Sequence, residues 1–176
     1  MVVAAAAIPV ASEDAAEFEA RLQPLYGDAV RLAYGMLRNS ALAEEAAQEA
    51  ALRAWRSRGN LHCGTELRPW FLAIVANCCR DVWRSSWWRM GTVALPECLA
   101  DSRAAATGGD REQVDDLRAA LRRLGHRDRL VIVLRFYLDL PHQEIAAITG
   151  QSEGAVRARV CRALRRLRLE LAEEEL

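Results

Sequence analysis

Apolar residues recur at helical spacing along most of the chain. Between Ala15 and Leu37 they fall at Phe18, Leu22, Leu25, Ala29, Leu32, Ala33, Met36 and Leu37, with Arg21, Asp28, Arg31 and Arg38 between them. Spacing of three and four marks an amphipathic helix with one face in a core. Pro24 and Gly27 are placed to kink or split it, since proline has no amide hydrogen and crowds the preceding turn. A second helix is expected after Asn39 or Ser40, either of which is a good N-cap, and it runs through Trp55 to Arg56. Its early acids Glu44 and Glu45 suit the positive end of the helix dipole. Its apolar positions, among them Ala46, Ala47, Ala50 and Ala51, are small enough for close helix packing. Gly59, Asn60 and Gly64 mark a loop. A third helix starts near Leu67, tolerates Pro69 in its first turn, and continues through Trp70, Phe71, Ile74, Val75 and Cys78 to Trp83.

From Ser85 to Asp110 the periodicity is lost among Gly91, Pro96, Gly108 and Gly109. A stretch this long exceeds ordinary connections within a compact domain, so it reads as a flexible linker over residues 86–111. Periodicity resumes with Val114, Leu117, Ala120, Leu121 and Leu124, ended by Gly125, and then with Leu130, Val131, Val133, Leu134, Phe136 and Tyr137, ended near Pro141. Two more helices are expected, His142 to Thr149 and Glu153 to roughly Arg168. The predicted organisation is all-α: a flexible arm over 1–13, a three-helix domain over 14–85, the linker, a second helical domain over 112–170, and an acidic tail over 171–176.

Composition agrees with that outline. The hydrophobic fraction of 52% is enough for a core, and only 6% of residues are aromatic. Ala, Leu, Arg and Glu dominate, and these lose little rotamer freedom in a helix. The formal net charge is +0, yet arginine crowds Arg157 to Arg168 and acids crowd Glu170 to Glu175, so local charge matters more than the sum. Five cysteines, Cys63, Cys78, Cys79, Cys98 and Cys161, form no C-x-x-C pair, which points to reduced thiols and to neither a disulfide framework nor a zinc site. No stretch approaches the ~20 apolar residues that span a bilayer, so a cytoplasmic protein without membrane insertion is expected. The histidines His62, His126 and His142 are scattered, and there is no phosphate-binding glycine loop or nucleophile motif. Neither an enzyme nor a cofactor, metal or small-molecule substrate is indicated.

The run Pro141 to Arg157 has the layout of a helix-turn-helix. Ala146 is small where two helices must approach, Gly150 can take the positive φ of the turn, Ser152 can cap the next helix, and Ile145, Ile148 and Val156 build a small core. On the second helix Val156, Val160, Ala163, Leu164 and Leu167 share one buried stripe, which turns Arg157, Ala158, Cys161 and Arg162 outward. An outward face of that kind enters the major groove, where each base pair presents a distinct donor and acceptor pattern. Arg157 and Arg162 are the candidates for base edges; Arg159, Arg165, Arg166 and Arg168 suit phosphates.

With its neighbours this region resembles region 4 of the sigma-70 family: Leu121-Arg122-Arg123-Leu124, Arg127-Asp128-Arg129, Ile145-Ala146 and Gly154-Ala155-Val156-Arg157-Ala158-Arg159 stand in the family's order. The first half resembles region 2, with Ala43-Glu44-Glu45-Ala46-Ala47-Gln48-Glu49, Ala54-Trp55-Arg56, Pro69-Trp70-Phe71-Leu72 and Asp81-Val82-Trp83-Arg84. Two such regions joined by a linker are the pattern of extracytoplasmic-function sigma factors. The resemblance implies a protein that binds core RNA polymerase, directs it to promoters and helps melt DNA. It implies docking of Glu45, Gln48, Glu49, Leu52 and Arg53 on the clamp helices of the largest polymerase subunit, and a contact with the flap of the second-largest. It implies capture of the unwound minus-ten element by Asn77, Arg80, Asp81 and Arg84, with Arg58, Asn60 and His62 from the preceding loop. Ser152, Arg157, Ala158, Arg159, Cys161, Arg162, Arg165 and Arg166 would meet the minus-thirty-five element. Ala155 and Ala158 replace hydroxyl residues common in the family, so fewer side-chain contacts are expected there. An anti-sigma protein is a possible partner.

The residues alone also fit a stand-alone dimeric helix-turn-helix regulator, although nothing in the first half suggests a dimer interface. Trp70 and Trp83 read as core; Trp87 and Trp88 stand together at the start of the linker, with packing, DNA and polymerase all open as roles. The division of labour on the last helix is testable by binding titrations on a panel of sequences. Arg162→Ala is expected to relax discrimination at one upstream base by ~1 to 3 kcal/mol, whereas Arg166→Ala weakens binding to all sequences and reduces its salt dependence.

Overall fold

The computed structural model describes residues 15–61, 64–90, 116–117 and 119–174. The expected N-terminal arm, His62, most of the linker and the side chains of Trp87 and Trp88 lie outside the described residues. Among the described residues all regular structure is helical: α1 (Ala15–Leu22), α2 (Tyr26–Leu37), α3 (Ser40–Ser57), α4 (Leu67–Met90), α5 with described residues 116–117 and 119–123, α6 (His126–Ile132), α7 (His142–Thr149) and α8 (Glu153–Glu174).

The first expected helix is split at Pro24, where a 3-10 turn (Gln23–Leu25) separates α1 from α2. Asn39 is the cap of α3: it is extended at φ −140°, and its Oδ1 accepts from the Leu42 amide at 2.9 Å. That satisfies one of the amides a helix start leaves unpaired. Ala43, Ala46, Ala47, Ala50 and Ala54 are all buried, and this stripe of methyl groups lets α3 lie close against α2 and α4. Phe18 fills the end of the bundle edge-on to Trp55 and Trp70, with ring centroids 6.1 and 6.4 Å away. Two expected boundaries move. Helix α4 continues to Met90, into the segment expected as linker, and α8 continues to Glu174, into the expected acidic tail. On α8 good helix formers such as Leu169, Glu170, Leu171 and Ala172 extend a helix whose inner turns already pack, and on α4 the same cooperativity carries the helix through Ser85, Ser86, Trp87 and Trp88, since adding a residue needs no new nucleus.

Helix α6 widens into a π-helical turn (Val133–Tyr137). The Leu138 amide then reaches back to the Val133 carbonyl at 3.1 Å and the Leu140 amide to the Leu134 carbonyl at 3.0 Å. The wide turn leaves Val133 and Leu134 buried and Phe136 exposed.

The two domains share one core. Helix α4 packs on α7, and α2 packs on α6 and the π turn. At the centre of that junction sits Arg129, only 6% exposed. Its guanidinium donates to the carbonyls of Leu121 (2.9 Å), Arg122 (2.7 Å) and Leu124 (3.3 Å) around the end of α5, and to Met36 in the last turn of α2 (2.9 Å). A cation at two helix C-termini satisfies carbonyls that have no partner within their own helices. Arg129→Met is expected to cost at least about 3 kcal/mol in urea denaturation of the full chain, because buried acceptors lose their donor. Arg129→Lys should recover only part, since an ammonium lacks the planar fork.

Candidate nucleic-acid interface

The turn between α7 and α8 is built as its sequence requires. Gly150 is left-handed at φ 66°, and its amide returns to the Ala146 carbonyl. A Cβ would be strained there. Ser152 caps α8, its Oγ accepting from the Ala155 amide at 3.3 Å. Val156, Val160, Ala163 and Leu167 are buried against the rest of the domain. Arg157, Ala158, Cys161, Arg162, Arg165 and Arg166 therefore stand exposed along the opposite side. Arg157 is tethered along its own helix to Glu153 (2.8 Å).

Arg159 differs from its neighbours. It is half-buried, donating to Asp128 at 2.9 Å and to Gln151 at 3.3 Å, and so braces α8 against α6. Arg166 also lies 3.5 Å from Asp128, but two-thirds of its side chain is exposed. Of the arginines expected at phosphates, Arg165, Arg166 and Arg168 are exposed, whereas Arg159 is turned to structural use.

On α4, Asn77, Arg80, Asp81 and Arg84 are all exposed. The loop candidates separate from them: Arg58 folds back over the Trp55 ring (4.4 Å) and donates to the Trp55 carbonyl, while Asn60 is exposed in a 3-10 turn (Arg58–Asn60). On α3, Glu45, Gln48 and Leu52 are exposed, and Glu49 and Arg53 partly so. Arg53 donates to Glu49 at 2.7 Å and to Asp81 at 2.9 Å, and these bonds, the one to Asp81 above all, raise its proton affinity further. The residues expected at polymerase and those expected at the minus-ten element therefore meet at one ion pair, Arg53 with Asp81.

A groove beside Leu52 escaped sequence reasoning. Leu22, Tyr26, Ala51, Leu52 and Trp55 line it, with Gln48 at its edge. Leu22 and Trp55 read from spacing as core, and only the packing shows that one side of each stays open. The signal was Leu52, a large apolar residue among the polar positions of α3 and now half exposed.

Between the domains lies a cleft of about 390 Å³, with Asn77 and Arg80 on one wall and His126, Arg127, Gln151 and Arg159 on the other. His126 stacks on Trp83, with ring centroids 5.9 Å apart. Burial, and then the positive charges of Arg129, Arg80 and Arg127, hold its imidazole below the ordinary value. Cys79 is fully buried, and burial pushes its thiol up to about 12; the Cys78 thiol is raised for the same reason. Both are packing residues in their unreactive protonated form. Among the described residues no group of His, Cys, Asp and Glu could hold a metal, and no helix is long and apolar enough to cross a membrane.

Two family models match this architecture: Sigma-70 region 2 over residues 22–89 and Sigma-70, region 4 over residues 115–167. The RNA polymerase sigma factor CarQ of Myxococcus xanthus is 35% identical over 141 residues, covering 80% of this chain and 81% of CarQ. SigV of Bacillus subtilis is 31% identical over 149 residues, covering 85% and 87%. The chain belongs to the sigma-70 family, in its extracytoplasmic-function group. It is a sigma factor directing transcription initiation, and so a transcription regulator by family. The ECF sigma factor SigE of Mycolicibacterium smegmatis is 35% identical, over 81% of this sigma factor and 57% of SigE. The fold is that of sigma factor RpoE from Bartonella quintana, solved with the anti-sigma factor NepR: TM-score 0.70, 21% identity, covering 89% of this chain and 97% of that one.

The His126 environment makes stability depend on pH. The folded state resists protonating this imidazole while the unfolded chain accepts a proton near pH 6.5, so stability is complete above that pH and falls as pH drops below it. Urea midpoints at pH 7.5 and 5.5 are expected to differ in that direction, and His126→Gln should shrink the difference.

Proposed function

We propose that the three exposed faces of this sigma factor carry its three tasks. The outer face of α8, with Arg157 and Arg162 central, reads the minus-thirty-five element in the major groove. The α4 row of Asn77, Arg80, Asp81 and Arg84, with Asn60 and His62 nearby in sequence, takes the unwound minus-ten strand, where polar edges and cations suit flipped bases and their phosphates. The α3 face of Glu45, Gln48, Glu49, Leu52 and Arg53, with its apolar groove, docks on the clamp helices of the largest polymerase subunit, and the C-terminal domain meets the flap of the second-largest. No bond is made or broken by the protein; binding energy drives melting. It works in the cytoplasm and is open to restraint by an anti-sigma protein.

The observation that carries this reading is the row of exposed arginines directly opposite the buried Val156, Val160, Ala163 and Leu167 stripe, behind a turn that only glycine fits well. A run-off transcription assay tests it: transcripts from a cognate promoter are expected only when core polymerase and this chain are both present. A footprint on a palindromic duplex without polymerase would favour the stand-alone dimeric regulator. Leu52→Glu places a charge at the edge of the groove, and is expected to weaken core polymerase binding about tenfold or more, a change of ~1.4 kcal/mol, while leaving affinity for isolated upstream duplex unchanged.

A further inference from the structure

The cleft between the domains has a one-sided lining. Its 390 Å³ falls within the size of small-molecule sites, about 300 to 1,000 Å³. Arg80 stands on the α4 wall and Arg127 on the α6 wall, and among the described residues no carboxylate lines the space between them. The neighbouring acid, Asp128, is already engaged: it receives Arg159 at 2.9 Å, and Arg166 lies 3.5 Å away. Arg80 and Arg127 make no ion pair among the described residues. After burial and the charge of Arg129, these two are what holds the His126 imidazole low, so charges from opposite walls act on one point. Like charges gathered from two helices repel, and an anion between them relieves the repulsion.

The remaining lining is mixed. Asn77 and Gln151 bring carboxamides, which both donate and accept, while Ala73, Ala76, Leu130 and Ile148 supply an apolar floor. The walls are held at a fixed spacing. Arg68 of α4 donates to Asp28 of α2 through two nitrogens (3.0 and 2.8 Å) and to Glu144 of α7 at 2.6 Å. Gly35 of α2 lets the π turn approach so closely that a Cβ there would stand 2.5 Å from Cγ1 of Val133. A site whose walls are already in place loses little binding free energy to ordering them.

We propose that this cleft binds a phosphorylated metabolite of the nucleoside diphosphate class, with Arg80 and Arg127 clamping the phosphates and Asn77 and Gln151 meeting the edge of a base that lies on the apolar floor. The cleft takes in Asn77 and Arg80 from the α4 row and leaves Asp81 and Arg84 outside. Its dimensions therefore suit one small anion better than a strand that tracks the whole row. A bound nucleotide withdraws Asn77 and Arg80 from the minus-ten strand, so initiation responds to the ligand. That consequence, unlike the site itself, rests on assigning the α4 row to the minus-ten element.

Isothermal titration calorimetry on the full chain tests the site with ADP, inorganic pyrophosphate and adenosine. ADP is expected to bind, pyrophosphate to bind more weakly, and adenosine to give no heat. Arg127→Gln alters an exposed residue outside the promoter and polymerase sets, and is expected to weaken ADP binding about tenfold or more, because a charged hydrogen-bond donor is lost. Arg56→Gln removes the same charge from α3, outside the cleft lining, and is expected to match the parent; circular dichroism verifies that both variants fold. No binding of ADP or pyrophosphate at about 1 mM overturns the site. Equal losses from Arg127→Gln and Arg56→Gln also overturn it, since the attraction is then diffuse. Pyrophosphate binding as tightly as ADP overturns the assignment to a nucleotide. A single-stranded minus-ten oligonucleotide that binds with the same dependence on Arg127, where ADP does not, gives the cleft to DNA instead. These titrations need neither polymerase nor promoter, so their failure is distinct from failure of the run-off assay.

Discussion

A single guanidinium holds the molecule's geometry. Arg129 is nearly inaccessible to water, and its donors collect carbonyls from the end of α5 and from the last turn of α2. A buried charge is costly unless hydrogen bonds replace its hydration, and here four carbonyls do so. Remove it and helix ends in both domains lose their cap together. The orientation of α6, and through it of Asp128, follows from this one site.

Asp128 transmits that order to α8. It receives Arg159 and lies within reach of Arg166, so α8 is fixed against α6 by charge as well as by its apolar stripe. The remaining arginines of α8 are then free to face outward. On the other domain the Arg53 guanidinium plays the equivalent part between α3 and α4, joining Glu49 to Asp81. Each of these exposed faces is thus backed by an internal ion pair that orients the helix beneath it.

Small residues decide how closely these parts approach. The buried alanines of α3 bring α2 and α4 together, and Gly35 brings the π turn against α2. Close packing of this kind has few intermediate states, since interiors are dense and deform little. The junction between the domains is therefore held by tight contact as well as by charge.

The helices, their order, the split near Pro24, the Gly150 turn and the outward set on α8 were all legible in the residues, because each depends on local spacing, capping or a backbone angle that few residues adopt. The outer ends of α4 and α8 run further than expected, to Met90 and Glu174, where the apolar residues no longer keep a clear helical period. The sequence could not show that Arg159 turns inward, that Arg53 meets Asp81, that Leu22 and Trp55 border an open groove, or that Arg129 binds Met36. Those partners are separated by 8 to 93 positions, and a side chain's spacing along its own helix says which side it occupies but not which distant group waits there. Local chemistry determined the elements and their faces; long-range packing alone decided which charges stay exposed and which hold helices and domains together.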